Sequence, residues 1–293
     1  MARRKAKKNK KPALILRLVR HFGWNPGRVM REVLEWIEVL IVAGGLAFLV
    51  MSYVTVRMHV PTDSMFPAID GDPNWLKADS FFVDEISYNF RSANPGDVVV
   101  FWHTDSVLIK NVESGSLAEH ARVTSEARLF YINREPVFSA AGADQIIASL
   151  PVGTMVVLSL VNAPQLDLGT KGSGMNSLSD FGITLRERRV RYVKRLIAVG
   201  GQTVQVKDGS VYVDGEKLTG PRFDRHYTSG DPRMLYAMTP TLVSEGKWFV
   251  MGDNSANSWD SRFWGFVDTR DFIGEPYLRV WPFSRFGPMN GYF

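Results

Sequence analysis

Residues 192–215 read YVKRLIAVGGQTVQVKDGSVYVDG. Tyr192–Val199, Thr203–Val206 and Ser210–Val213 are short runs rich in β-branched and aromatic residues, bounded by turn dipeptides, which is the pattern of strands. Lys207-Asp208-Gly209-Ser210 lies between Val-Gln-Val and Val-Tyr-Val. An Asp-Gly pair flanked by alternating apolar residues signals a hairpin, because both central residues of the favoured turn need positive φ. Asp214-Gly215 makes the next turn. Working outward, Ser80–Ile86, Asp97–Phe101 after Pro95-Gly96, Lys247–Met251 and Pro276–Trp281 repeat the strand pattern, and no long helical period appears in the C-terminal half. The expected fold is mainly β, an antiparallel sheet or barrel-like body.

The N-terminal end differs. Between Glu38 and Arg57 runs an uncharged stretch of 18 residues, Val39–Val56 (VLIVAGGLAFLVMSYVTV), with Trp36 and Tyr53 near its ends. As a helix it would measure ~27 Å, close to the ~30 Å hydrocarbon core of a bilayer. The net charge of +5 is unevenly spread. Eleven of the 35 Lys/Arg and none of the 30 Asp/Glu lie in residues 1–31, so the remainder carries 24 basic and 30 acidic residues, a net −6. Positive residues stay on the cytoplasmic side, so this asymmetry predicts a single span with its N-terminus inside and its body outside, in the cell (inner or plasma) membrane. Residues 12–31 mix apolar and basic side chains as an interfacial helix does, interrupted at Gly23 and Asn25-Pro26-Gly27. A cleaved signal peptide has a shorter apolar core nearer the start and small residues at its cleavage site. A nucleic-acid-binding tail would need aromatics or a folded reader beside Met1–Lys11, so no nucleic-acid partner is expected.

The expected organisation is a basic leader at 1–35, an anchor at 36–56, a β-rich body formed by 57–103 and 191–293, and an insertion at 104–190. The insertion is mixed and interrupted by Ser and Gly, with one strand expected at Thr154–Val161. A stretch of that length carries structure of its own. With no cysteine there are no disulfides, thiolate metal sites or cysteine nucleophiles. The five histidines are scattered without metal-ligand spacing, so neither metal nor other cofactor is expected.

Three segments carry residues suited to chemistry. In Val60-Pro61-Thr62-Asp63-Ser64-Met65-Phe66-Pro67, a serine between two prolines sits on a rigid non-helical turn that presents its hydroxyl; turn formation alone accounts for such a serine as well. In the Tyr192–Val199 strand, alternation puts Lys194 on the face of Tyr192, Leu196 and Ala198. Burial there lowers a lysine pKa and makes a base near neutral pH; the bland alternative is that the amine snorkels to water. In Met251–Val267, Asp253, Asp260 and Arg262 can brace a loop and Ser258 or Ser261 can orient an amine, while Gly252–Ser255 also reads as a turn and Asp260/Arg262 as a surface pair. His59, five residues before Ser64, leaves a histidine base open.

Taken in order behind the anchor, Pro61-Thr62-Asp63-Ser64-Met65, Tyr192-Val193-Lys194-Arg195 and Gly252-Asp253-Asn254 with Ser258-Trp259-Asp260-Ser261-Arg262-Phe263-Trp264-Gly265 resemble the type I signal peptidase (leader peptidase) family. Asp79–Phe90 and Pro95–Phe101 look like its intervening strands. The resemblance spans 57–103 and 191–281. It implies a Ser/Lys dyad, with Ser64 as nucleophile and Lys194 as general base. It further implies an oxyanion hole from the Ser64 N–H and the Thr62 hydroxyl, Ser258 orienting the lysine, and Asp253, Asp260 and Arg262 stiffening the loop. Implied substrates are secretory preproteins cut after a small-x-small sequence, seated in shallow pockets lined by Val60, Met65, Ile69, Tyr192 and Val193 and pairing as a strand against Asp79–Ile86. The lipid bilayer is the other implied partner. Departures from the pattern are Asp63 where Gly is frequent, Thr62 for Ser, Ser255 where Arg is frequent, and Gly200-Gly201-Gln202 for Pro-Gly-Asp. Two other readings are a specialised relative processing one class of exported protein and a non-catalytic tethered peptide-binding β-domain.

Overall fold

The computed structural model describes residues 13–53, 55–86 and 92–289 of the chain. The basic cluster Arg3–Lys11 and the last four residues of the strand expected over Asp79–Phe90 lie outside the described residues. The chain divides into two units, Met1–Val56 and Arg57–Phe293.

In the first unit, α1 (Leu14–His21) ends at Phe22 and Gly23, whose φ of +79° continues no right-handed helix, and α2 (Arg28–Tyr53) begins beyond Asn25-Pro26-Gly27. The Glu38 carboxylate accepts the Leu14 and Ile15 N–H groups at 3.0 and 2.8 Å, supplying two of the partners that the start of α1 lacks. The uncharged part of α2 runs from Val39 to Tyr53, about 22 Å at 1.5 Å per residue. It stops short of the expected end at Val56 because three β-branched residues follow in succession, and Thr55 already opens strand β1 (Thr55–His59). Among the described residues no helix is long and apolar enough to cross a membrane.

The second unit is mainly antiparallel β. Its larger sheet contains β1, β2 (Ser80–Asp84), β3 (Val98–Val112), β4 (Arg128–Ile132), β5 (Met155–Leu160), β6 (Leu166–Thr170), β7 (Ile183–Val199), β10 (Lys247–Met251) and β11 (Phe272–Trp281). The strand path β1-β2-β11-β3-β4-β5-β6 has two ends, and β7 pairs with β3 on one side and β10 on the other. The sheet is therefore open, in place of the barrel-like closure expected. A second sheet is built on β8 (Thr203–Lys207) and β9 (Ser210–Val213). Their connection has Asp208 at φ 49° and Gly209 at φ 71°, the positive pair that the Asp-Gly hairpin requires.

The long strands β3 and β7, 15 and 17 residues, pair from Val98↔Arg195 out to Val112↔Ile183. Positions 103/104 and 190/191 thus fall inside two continuous strands. At the distal end β4, β5, β6 and α3 (Ala140–Ser149) enclose a separate apolar core containing Ile109, Leu129, Ile147, Leu158 and Phe181. At the proximal end β7 is covered on both faces and Val193–Ala198 are all buried. Leu196 packs with Val99, Phe101, Val250 and Trp264, and Ile197 packs with Val204, Val211, Phe249 and Met251. A strand sandwiched between two cores fixes the position of any polar side chain on it.

Candidate active site

The Pro61–Pro67 segment folds into a tight turn. Phe66 N–H donates to the Asp63 carbonyl and Ile69 N–H to the Met65 carbonyl, each at 3.0 Å. The second bond winds one helical turn, which brings Met65 and Ile69 to the same inward side. Both are fully buried there. Ala68 is anchored by a 2.8 Å bond from Arg279 to its carbonyl, and the Asp70 N–H by a 2.9 Å bond to the buried Asp79 carboxylate. Gly71 lies so close beneath the turn that a Cβ there would stand 1.6 Å from the Thr62 carbonyl oxygen.

Lys194 on β7 stands opposite Val99 of β3 and is 5% exposed. Its Nζ donates to the Ser64 Oγ at 2.7 Å and lies 5.5 Å from the centre of the Tyr192 ring, on the face that strand alternation assigned. Burial lowers the amine from 10.5 to about 8; Asp260 and Asp253 pull it upward and Arg262 pushes it down. A lysine of this kind is uncharged in about one molecule in ten at pH 7 and can then accept a proton from the serine hydroxyl. The Thr62 hydroxyl, on the exposed side, donates to the same Oγ at 3.4 Å. Lys194, and not His59, makes the nitrogen contact to Ser64.

The loop after β10 is held by two distinct charge clusters where one brace was expected. Asp253 turns to the other side of β7 and receives a bidentate contact from Arg195 at 2.7 and 2.6 Å, with Arg225 at 3.0 Å. Asp260 caps the single-turn helix α4 (Ser261–Trp264) and accepts from Arg262 Nε and Nη2, both at 2.9 Å, and from the Gly252 N–H at 3.0 Å. Arg262 also donates to the Ser255 hydroxyl at 2.6 Å and the Thr228 carbonyl at 2.8 Å. Asp260 and Arg262 are fully buried, so they are no surface pair; a buried charge is tolerated only when its hydrogen-bonding capacity is used up. Ser258 is buried at the cleft, and among the described residues its hydroxyl has no hydrogen-bond partner, the lysine amine included. Gly252 sits between these parts: a Cβ there would fall 2.2 Å from the Ser258 hydroxyl and 2.4 Å from the Ser64 carbonyl oxygen.

Ser64 and Lys194 lie in a cleft of about 1160 Å³ whose walls include Val60, Tyr192 and Val193, together with Met58, Phe66 and Met234. Sequence reading missed Asn257 and Arg225 and gave no role to Gly252, Asn254, Arg195 or the Ser255 hydroxyl. Of these, Arg195 carried a signal, since a charged residue leading into the apolar run Leu196–Val199 needs a buried partner. Among the described residues no cluster of His, Asp or Glu is placed to hold a metal ion.

Residues 33–281 match the family described as signal peptidase, peptidase S26. The chain belongs to the signal peptidase family. It is accordingly a serine peptidase, which sets aside the non-catalytic reading. The probable signal peptidase I-1 of Synechocystis sp. is 25% identical over 258 residues, covering 88% of this chain and 87% of that protein. Signal peptidase I of Mycobacterium tuberculosis is 28% identical over 281 residues, covering 89% of this chain and 77% of its own length. A crystal structure of a signal peptidase I from Enterococcus faecalis V583 shares 32% identity over 29% of this chain and 81% of that one, with a TM-score of 0.24.

Proposed function

We propose that this protein removes N-terminal signal peptides from exported preproteins by a Ser/Lys dyad, cutting after a small-x-small sequence. The observation that carries the reading is the 2.7 Å contact between the buried Lys194 Nζ and the Ser64 Oγ, with the lysine lowered to about 8. In the proposed reaction neutral Lys194 takes the hydroxyl proton as Ser64 Oγ attacks the scissile carbonyl carbon. The oxyanion is received by the Ser64 N–H and the Thr62 hydroxyl. Lys194 then gives its proton to the departing amine and later deprotonates the water that hydrolyses the acyl-enzyme. Val60, Tyr192 and Val193 form the shallow apolar wall for small side chains. Arg195–Asp253 and Asp260–Arg262 hold the lysine strand and the loop from opposite sides. The body is read as extracytoplasmic, tethered through residues 36–56 with the basic leader inside; the charge asymmetry of the first 31 residues supports this topology.

Purified full-length protein in detergent is expected to cleave a preprotein at its small-x-small site, and Ser64→Ala and Lys194→Ala each to lose that cleavage. Cutting that persists in both variants would refute the dyad.

A further inference from the structure

Asp63 immediately precedes Ser64 and lines the same cleft. The other carboxylates on the cleft wall are neutralised: Asp70 by Arg285 at 2.7 Å, Asp231 by Arg233 at 2.7 Å, and Asp105 by Arg188. Asp63 has no ion pair among the described residues. Its oxygens accept from two neutral amides, Asn257 Nδ2 at 2.6 Å and Asn254 Nδ2 at 3.4 Å. The same Asn254 amide donates to the Asp63 carbonyl at 3.2 Å, and the Asn254 N–H to the Ser64 carbonyl at 3.0 Å. Neutral donors hold a carboxylate in place without cancelling its charge. The cleft thus presents, one residue from the serine, a carboxylate that no ion pair among the described residues neutralises.

We propose that Asp63 is a specificity-determining residue that favours a cationic side chain on the leaving segment of the substrate, directly after the scissile bond. The inference rests on Ser64 as the nucleophile. A reactive carbonyl must come within ~3–3.5 Å of the Ser64 Oγ. Ser64 and Asp63 are neighbours in the chain, with Cα atoms ~3.8 Å apart, so a long side chain on a residue flanking that carbonyl extends into the part of the cleft that Asp63 lines. Of the two residues that flank the carbonyl, the acyl-side one is the last small residue of the proposed small-x-small sequence, seated against Val60, Tyr192 and Val193. The proposed small-x-small sequence sets no size for the leaving-side one, so that is the flanking position at which a long cation is proposed to meet the charge.

A charge pair in partial contact with solvent changes binding by about threefold, and a like-charge pair by about the same factor in the opposite sense. Peptides identical except for Lys, Gln or Glu at the first leaving-side position are therefore expected to be cleaved by full-length protein with kcat/KM falling from Lys to Gln to Glu, about tenfold end to end. In Asp63→Asn, which keeps the shape and one acceptor oxygen for the Asn257 amide, the Lys:Glu ratio is expected to collapse toward one. Because the ratio is taken within one enzyme, a general loss of activity does not move it. In the parent it is also expected to shrink in 1 M salt, a readout that needs no variant. A ratio near one in the parent, or an equal ratio in Asp63→Asn, overturns the inference while Ser64-dependent cleavage keeps the nucleophile reading intact. Cleavage that survives Ser64→Ala sinks both.

Discussion

Replacing Lys194 by Met tests whether the amine is as desolvated as its surroundings require. An ordinary lysine titrates at 10.5 and this one at about 8, which at 1.36 kcal/mol per pH unit is a cost of about 3 kcal/mol to the folded chain. The folded state binds its proton more weakly than the unfolded state. The cost is therefore fully present below pH 8 and disappears as pH rises toward 10.5. Methionine has a similar unbranched length and no charge to desolvate, but it forfeits the bond to Ser64, worth about 1 kcal/mol. Lys194→Met should therefore be inactive yet more stable than the parent by about 2 kcal/mol at pH 7. Between pH 7 and 9.5 the parent regains about 2 kcal/mol and the advantage closes. Urea unfolding of both full-length proteins in one detergent, followed by tryptophan fluorescence at the two pH values, measures it. A variant no more stable than the parent at pH 7, or an advantage that does not change with pH, would refute the reasoning.

The same titration governs rate: kcat/KM of the parent should rise about tenfold from pH 7 to 9 as neutral Lys194 goes from about a tenth to about nine tenths of the population, and a profile that is flat or falls over that range contradicts it. Gly252→Ala should cost more than a hundredfold in activity and about 1–3 kcal/mol in stability, because its Cβ has to push apart the Ser64 backbone and the Ser258 side chain; activity within tenfold of the parent would show that the site yields.

Lys194 was legible because a period of two puts every second residue of a strand on one face, and that face was otherwise apolar. The hairpin at Asp208-Gly209 was legible from its turn chemistry alone. The burial of Met65 and Ile69 was legible only in part: pocket and core both demand apolar residues, and the helical turn closed by the Ile69 N–H to Met65 carbonyl bond is not marked in the sequence. The division of Asp253 from Asp260 was not legible, since Asp253 finds its partner 58 residues away in Arg195. The outer half of β7 escaped notice for another reason. Arg186, Glu187, Arg188, Arg189 and Arg191 are largely exposed, so no apolar alternation marks the strand, which is set by pairing with β3 and by cross-strand contacts such as Thr104 to Glu187 at 2.9 Å.

The two-stranded ribbon of β3 and β7 also separates what must stay constant from what is free to vary. Thr104 and Arg189 are directly paired, so the 84 residues between them leave and re-enter the catalytic sheet at a single rung. Strand pairs added or removed beyond that rung leave the Val99↔Lys194 rung in register, and with it the distance from amine to serine. The outer lobe is in this sense a graft on a fixed stem, free to acquire or discard surface without re-tuning the chemistry at the base.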